Sequence, residues 1–253
     1  MPAGSLQLAY ASSTDGRTSQ LTSLLSILQL SDTAFPSGRY TLSYGLEALV
    51  QSGHLSAPAD ALTLTALLTD TLRFGVAPSD GVALACAHRA AAAGGGIDLH
   101  LLTDVDSRLT AVKLAREVRD ASARTGRAAL ATATSAIGGP ALVSYAERVK
   151  RGTAPGNHAV VVGLLGAVLG IPCLEAIVGE LYAFSSGWVS AAVRLGLADH
   201  RGAQRLLHRG RAVIVESALT VIDRDIEQIS SCTPLLDVMA MRHEQAEVRL
   251  FAS

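Results

Sequence analysis

The chain has 253 residues, of which 49% are hydrophobic, 17% charged and 4% aromatic. That is too apolar for a disordered chain, and long enough for one large domain or two small ones with a sizeable core. Twenty-one basic side chains against 22 acidic ones leave a net charge of −1, which argues against a nucleic-acid footprint or a polybasic membrane tail, and so few aromatics make no base-stacking platform.

Residues 1–20 are rich in Ser, Thr, Gly and Ala and are expected to form a mobile tail. Leu21, Leu24, Leu25 and Leu28 follow helical spacing and predict an amphipathic helix with that stripe inward, ending before Phe35-Pro36-Ser37-Gly38. A second helix is expected over 40–51, closed by Gly53. A third opens at Ser56-Ala57-Pro58, with Leu64, Leu67, Leu68 and Leu72 on one face. A fourth starts at Pro78-Ser79-Asp80 and ends in Gly94, Gly95 and Gly96. One long helix is expected over 98–123, then helices over 127–136 and 140–150.

The segments 157–169 and 173–195 lack a clear polar face, so each must be surrounded, by its own chain or by a second subunit. A further helix is expected over 202–229. Strict alternation is almost absent. The reading is all-α: one helical bundle over 21–253 behind an N-terminal tail, with 232–253 as a C-terminal docking segment. Pro234 sets off that segment, and Leu235, Leu236, Met239, Leu250 and Phe251 give it apolar anchors. They dock either on the chain's own body or on another protein.

Little in the sequence supports catalysis or metal binding. Gly94-Gly95-Gly96 is followed by Ile97, so no phosphate-binding loop exists, and Lys113 and Lys150 follow no glycine-rich turn. None of the seven histidines pairs with another at i+3 or i+4, and Cys86, Cys173 and Cys232 are far apart. No catalytic residue, metal ligand or cofactor is therefore assigned, and the odd, scattered cysteines point to a reducing, cytoplasmic compartment. No signal peptide is read at the N-terminus and no membrane span in the chain. Arg201, Arg205, His208 and Arg209 form a local basic stretch, either a solvated face or a surface for an acidic partner. The alternative to a binding protein is a helical enzyme whose site is assembled from distant residues such as His158, Glu180, Arg194 and His208.

Three segments together resemble the UreF family of urease accessory proteins. The first runs from Leu28-Gln29-Leu30-Ser31-Asp32 through Phe35-Pro36-Ser37-Gly38 to Tyr44-Gly45-Leu46-Glu47. The second joins Gly156-Asn157-His158 to Leu181-Tyr182 and to Ser190-Ala191-Ala192-Val193-Arg194. The third is Pro234-Leu235-Leu236-Asp237, then Met241-Arg242-His243-Glu244, then Arg249-Leu250-Phe251. The resemblance implies an all-helical, non-enzymatic homodimer. It would bind the accessory protein UreD (also called UreH), recruit the GTPase UreG and support nickel delivery to apo-urease, the complex handling the metal. It places Pro234, Leu235, Leu236, Met239, Arg242, His243, Arg249, Leu250 and Phe251 in a tail facing UreD. It puts Phe35, Pro36, Gly38, Tyr40 and Glu47 near an assembly surface. It makes the helix over 173–195 a candidate dimer contact. Arg39 departs from the family pattern, standing where a small residue is common.

Overall fold

The computed structural model describes residues 4–32, 34–92 and 96–244. Arg249, Leu250 and Phe251 of the expected tail, and Gly94 and Gly95, lie outside the described residues. The fold is all-α, with no β-strand among the described residues.

The first helix, α1, spans Gly4–Ser31, so 4–20 are helical where a mobile tail was expected. Past Pro2 the segment holds no proline to stop a helix. The expected inward stripe is also reversed: Leu21, Leu24, Leu25 and Leu28 are 50–66% exposed. The opposite side, with Ser23, Ser26, Ile27 and Ser31, rests on a later helix, where Ser31 Oγ donates to the Gly179 carbonyl. Small side chains let the two backbones approach, and that closeness selects the buried face.

The helix expected over 40–51 is instead a short 3-10 turn at Arg39–Thr41 followed by α2, Leu46–Gln51. Tyr44 and Gly45 are left-handed between them, which no continuous helix tolerates. The next helix, α3, spans Ala61–Asp70, and Asp60 caps it by accepting from the Leu62 and Thr63 amides. It runs through a π-helical stretch, Thr71–Gly81, into α4, Val82–Ala91, so Pro78 starts no new helix. The wide π turns accommodate a residue with no N–H to give. The expected long helix over 98–123 is two: α5, Leu99–Val112, and α6, Arg116–Ala136, parted at Lys113, whose backbone is extended. Then come α7, Pro140–Lys150, α8, His158–Val168, and α9, Cys173–Arg194. The last two are α10, His200–Val221, which Asp199 caps, and α11, Pro234–His243.

The centre is α8. Residues 158–166 are buried without a break, and α4, α6 and α9 close around them. Two glycines make this possible. A methyl group on Gly126 of α6 would strike the backbone at 156–158, and one on Gly163 of α8 would strike the Leu84 carbonyl of α4. Both helices meet α8 backbone to backbone. In turn α9 is flanked by α1, α4, α8 and α10. It is 22 residues long and apolar enough for a membrane span, but half of its most apolar window is buried in the bundle. Met239, Ala240 and His243 seat α11 against α2 and α6.

Candidate functional site

Three buried polar clusters organise one end of the bundle. In the first, Asp106 of α5 receives four bonds. Its Oδ2 accepts from Tyr145 Oη at 2.7 Å and the Gly156 amide at 2.6 Å, and its Oδ1 from the Asn157 amide at 2.9 Å and Asn157 Nδ2 at 2.7 Å. Burial, with the Asp106 charge behind it, pushes the Tyr145 phenol far above its usual range. With its oxygens so occupied, this carboxylate is structural. It fixes the turn before α8 and so the position of His158.

His158 opens α8 and belongs to the second cluster. Arg39 Nη1 lies 2.9 Å from Glu180 Oε2 and 3.0 Å from His158 Nε2, while Glu180 Oε2 is 3.6 Å from that same nitrogen. Burial alone would raise the Glu180 carboxyl; the charges of Arg39 and then His158 outweigh it and hold it down at about 2. The Arg39 guanidinium is displaced upward against its own burial, chiefly by Glu180.

These side chains form part of the wall of a cavity of about 190 Å³. Lys113 and Asp80, paired at 2.7 Å, lie on it, and Leu236, Asp237 and Ala240 of α11 close one side. Lys113 explains the break between α5 and α6: the chain leaves the helix where this side chain turns to Asp80. Burial raises the Asp237 carboxyl above its usual range.

The third cluster locks α11 down. His243 Nε2 is 3.2 Å from Glu47 Oε2 of α2, and its Nδ1 is 2.9 Å from Glu117 Oε2 of α6. The Glu117 amide donates to Glu244 Oε1 at 3.1 Å.

The outer surface carries the other expected residues. On α11, Leu235, Val238 and Met241 are 40–47% exposed along one side, and Pro234 and Arg242 are exposed. Met239 and His243 are buried and Leu236 is half-buried, so these three face the chain's own body. Phe35 is half-buried, and Pro36, Gly38 and Tyr40 are exposed, Tyr40 at 62%. Arg194 stacks over the Tyr40 ring, 4.4 Å from its centre, and donates to the Tyr40 and Leu42 carbonyls. Glu47 lies inside the fold rather than on that surface, held by His243. Arg201, Arg205, His208 and Arg209 are all exposed on α10. Of the four residues suggested for an assembled enzyme site, His158 and Glu180 meet, Arg194 holds the 40–42 turn, and His208 stands in solvent.

A family model described as UreF matches residues 59–211. The chain is 31% identical to the urease accessory protein UreF of Trichodesmium erythraeum over 235 residues, covering 93% of this chain and 99% of that protein. The chain belongs to the UreF family of urease accessory proteins. It is also 31% identical to UreF 2 of Brucella canis, over 91% of this chain and 92% of that protein. UreF of Yersinia enterocolitica is 30% identical over 91% of this chain and 98% of its own length.

Sequence reasoning missed parts of this UreF chain's polar interior. Asp106 had a signal: it stands on the same face of α5 as Leu102, Val105 and Leu109, where an unpartnered carboxylate is costly. Glu117 and Lys113 had none, because their partners come from distant segments. Arg39 had one, as a long cation set directly after the Phe35-Pro36-Ser37-Gly38 turn.

Proposed function

We propose that this chain is a scaffold of the urease activation complex, working in the cytoplasm as one helical unit over 21–253. In this reading it binds a UreD-type protein, recruits the UreG GTPase, and supports nickel delivery to apo-urease by positioning and population shift, with no covalent chemistry of its own. The observation that carries the reading is the outer face of α11. Leu235, Val238 and Met241 stand exposed on a helix whose other side is held in the body by His243. Exposed apolar side chains on a terminal element fit partner docking, with Met as an adaptable contact. The leucine stripe of α1 adds a second such surface, and both suit the UreD-type partner. The exposed arginines of α10 suit charge-steered association with UreG, and Tyr40, fixed by Arg194, suits the assembly surface.

Self-association also belongs to this proposal. The contact expected on α9 has little surface to offer, since α9 is spent on its own chain and Tyr182 is its large exposed apolar side chain. The rival enzyme reading would use the cavity beneath α11. The pairing of Glu180 with Arg39 favours the scaffold, because a carboxylate held ionised near 2 is a poor general acid or base at neutral pH.

The test is complementation. Deleting the gene in its urease-positive host should leave urease protein present but largely inactive and short of nickel. The wild-type gene should restore activity, and a Leu235→Glu, Met241→Glu variant should not. Full urease activity in the deletion strain, or GTP hydrolysis by the purified chain alone, would overturn the proposal.

A further inference from the structure

We infer that the cavity beneath α11 receives an arginine side chain of the protein that docks on that helix, the guanidinium pairing with Asp237. This deepens the reading of α11 as a partner-docking face and rests on it. Charge is the first observation. Among the described residues, the cavity lining carries three carboxylates, Asp80, Glu180 and Asp237, against two cations, Arg39 and Lys113. Arg39 pairs with Glu180 at 2.9 Å, and Lys113 with Asp80 at 2.7 Å. His158 adds no charge: Arg39 Nη1, which can only donate, lies 3.0 Å from its Nε2 and makes that nitrogen an acceptor. Asp237 is left over. It makes no ion pair among the described residues, and the hydrogen bond it receives from Thr233 Oγ1 is long, at 3.5 Å. Burial raises its carboxyl above the usual range, because the water it has lost is not fully replaced by a cation.

Position is the second observation. Asp237 is half-buried, so part of it is reachable from solvent. It lies one helical turn from Met241 and next to Val238, both exposed. Leu114, on the cavity lining, is exposed as well. The uncompensated carboxylate thus stands where the apolar outer face of α11 meets the cavity. A partner seated on that face covers it, and covering it without a cation would bury an unpaired charge.

The cavity selects the kind of cation. The rest of its wall is largely apolar, with Leu42, Val76, Val112 and Leu236 prominent. A volume of about 190 Å³ holds roughly six water-sized groups at about 30 Å³ each, the size of an arginine side chain beyond Cβ. Its methylenes suit the apolar wall, and its planar fork pairs with both oxygens of a carboxylate. A lysine fills less of the space and brings a point charge. One positive charge balances the wall. Asp237 repels an anion, and a divalent ion would find a single free carboxylate.

The experiment titrates the purified full-length chain with butylguanidinium and, separately, with butylurea, which has nearly the same shape and no charge. Calorimetry gives the affinities, and carboxyl 13C NMR follows Asp237. The expected result is saturable one-to-one binding of butylguanidinium at millimolar concentrations, with the Asp237 titration moved to lower pH. Butylurea should bind roughly ten-fold more weakly, the loss of a charge-assisted hydrogen bond. Asp237→Asn should erase that preference with the melting temperature unchanged. Co-expressed with the UreD-type partner, the same variant should hold it about ten-fold more weakly than wild type, and Asp237→Lys more weakly still. No saturable binding of butylguanidinium, or equal binding of the two probes, would overturn the inference. A wild-type chain that binds the probe, beside an Asp237→Asn chain that holds the partner as tightly as wild type, would reveal a site for a free small cation. That outcome would overturn the inference and leave α11 as the docking face. Probe binding by a wild-type chain that forms no complex would remove the docking reading, and the partner's side chain with it.

Discussion

His243 and Glu47 stand 196 positions apart in the chain and meet in the interior, Nε2 to Oε2, at 3.2 Å. Their side chains are 0% and 1% exposed. This contact, with Glu117 on the other ring nitrogen, decides whether α11 stays seated. His243→Ala would leave two inward carboxylates without their shared imidazole. Breaking such a buried pair costs about 3 kcal/mol. Urea unfolding should register that loss, and the α11 amides should exchange hydrogen faster than those of α8. Unchanged exchange in α11 would mean that Met239 and Ala240 hold it alone.

Acid should act through Glu180. Its carboxyl lies at about 2 in the folded chain against an ordinary 4.5, so folding favours the ionised form. That stabilisation is complete above about 4.5 and is lost as pH falls towards 2. Its full size is on the order of 3 kcal/mol. Stability measured by urea titration should therefore fall across that window. Glu180→Gln should flatten this stretch of the curve, at the cost of lower stability near neutrality, where Arg39 would face an uncharged partner.

Close helix packing gives a steric prediction. A Cβ on Gly126 would come within 2.6 Å of the His158 amide nitrogen, and one on Gly163 within 2.9 Å of the Ala87 Cβ. Alanine at either position should destabilise by about 1–3 kcal/mol, since helix backbones must shift. Gly16 has nothing within 4 Å of the same added atom, so Gly16→Ala should raise stability by roughly 0.5–1 kcal/mol. Thermal melts of the three variants would test the ordering.

The α1 stripe separates folding from docking. Leu24→Glu and Leu28→Glu sit on exposed positions, so each should change stability by less than about 0.5 kcal/mol. If the stripe is a partner surface, the pair should still weaken recovery of a UreD-type partner in a pull-down. Loss of folding in the double variant would instead show that the stripe packs on the chain's own body.

How much of this was legible in the sequence follows from what each signal reports. Periodicity found the apolar face of α1 at Leu21, Leu24, Leu25 and Leu28, but it cannot say what covers a face, and the serines and Ile27 lie inside instead. An apolar helix with no polar side, α8, was read correctly as surrounded, because that requirement is independent of topology. The break at Lys113 went unseen since Asp80 is 33 positions away. The tail motif around Pro234-Leu235-Leu236 and Met241-Arg242-His243-Glu244 was visible as a segment. Its division into an outer apolar side and an inner anchor was not, because that depends on Glu47 and Glu117. Arg39, Glu180 and His158 come from three distant segments: the sequence offered His158 and Glu180 together only as members of an assembled enzyme site, and gave no sign that Arg39 would stand between them.

The most direct test is co-expression of the full-length chain with its host's UreD-type protein, followed by co-purification and mass by light scattering. A scaffold predicts a stable complex with wild type, and loss of that complex for Leu235→Glu combined with Met241→Glu while the variant chain stays folded. Two soluble, folded proteins that fail to associate would contradict the scaffold role.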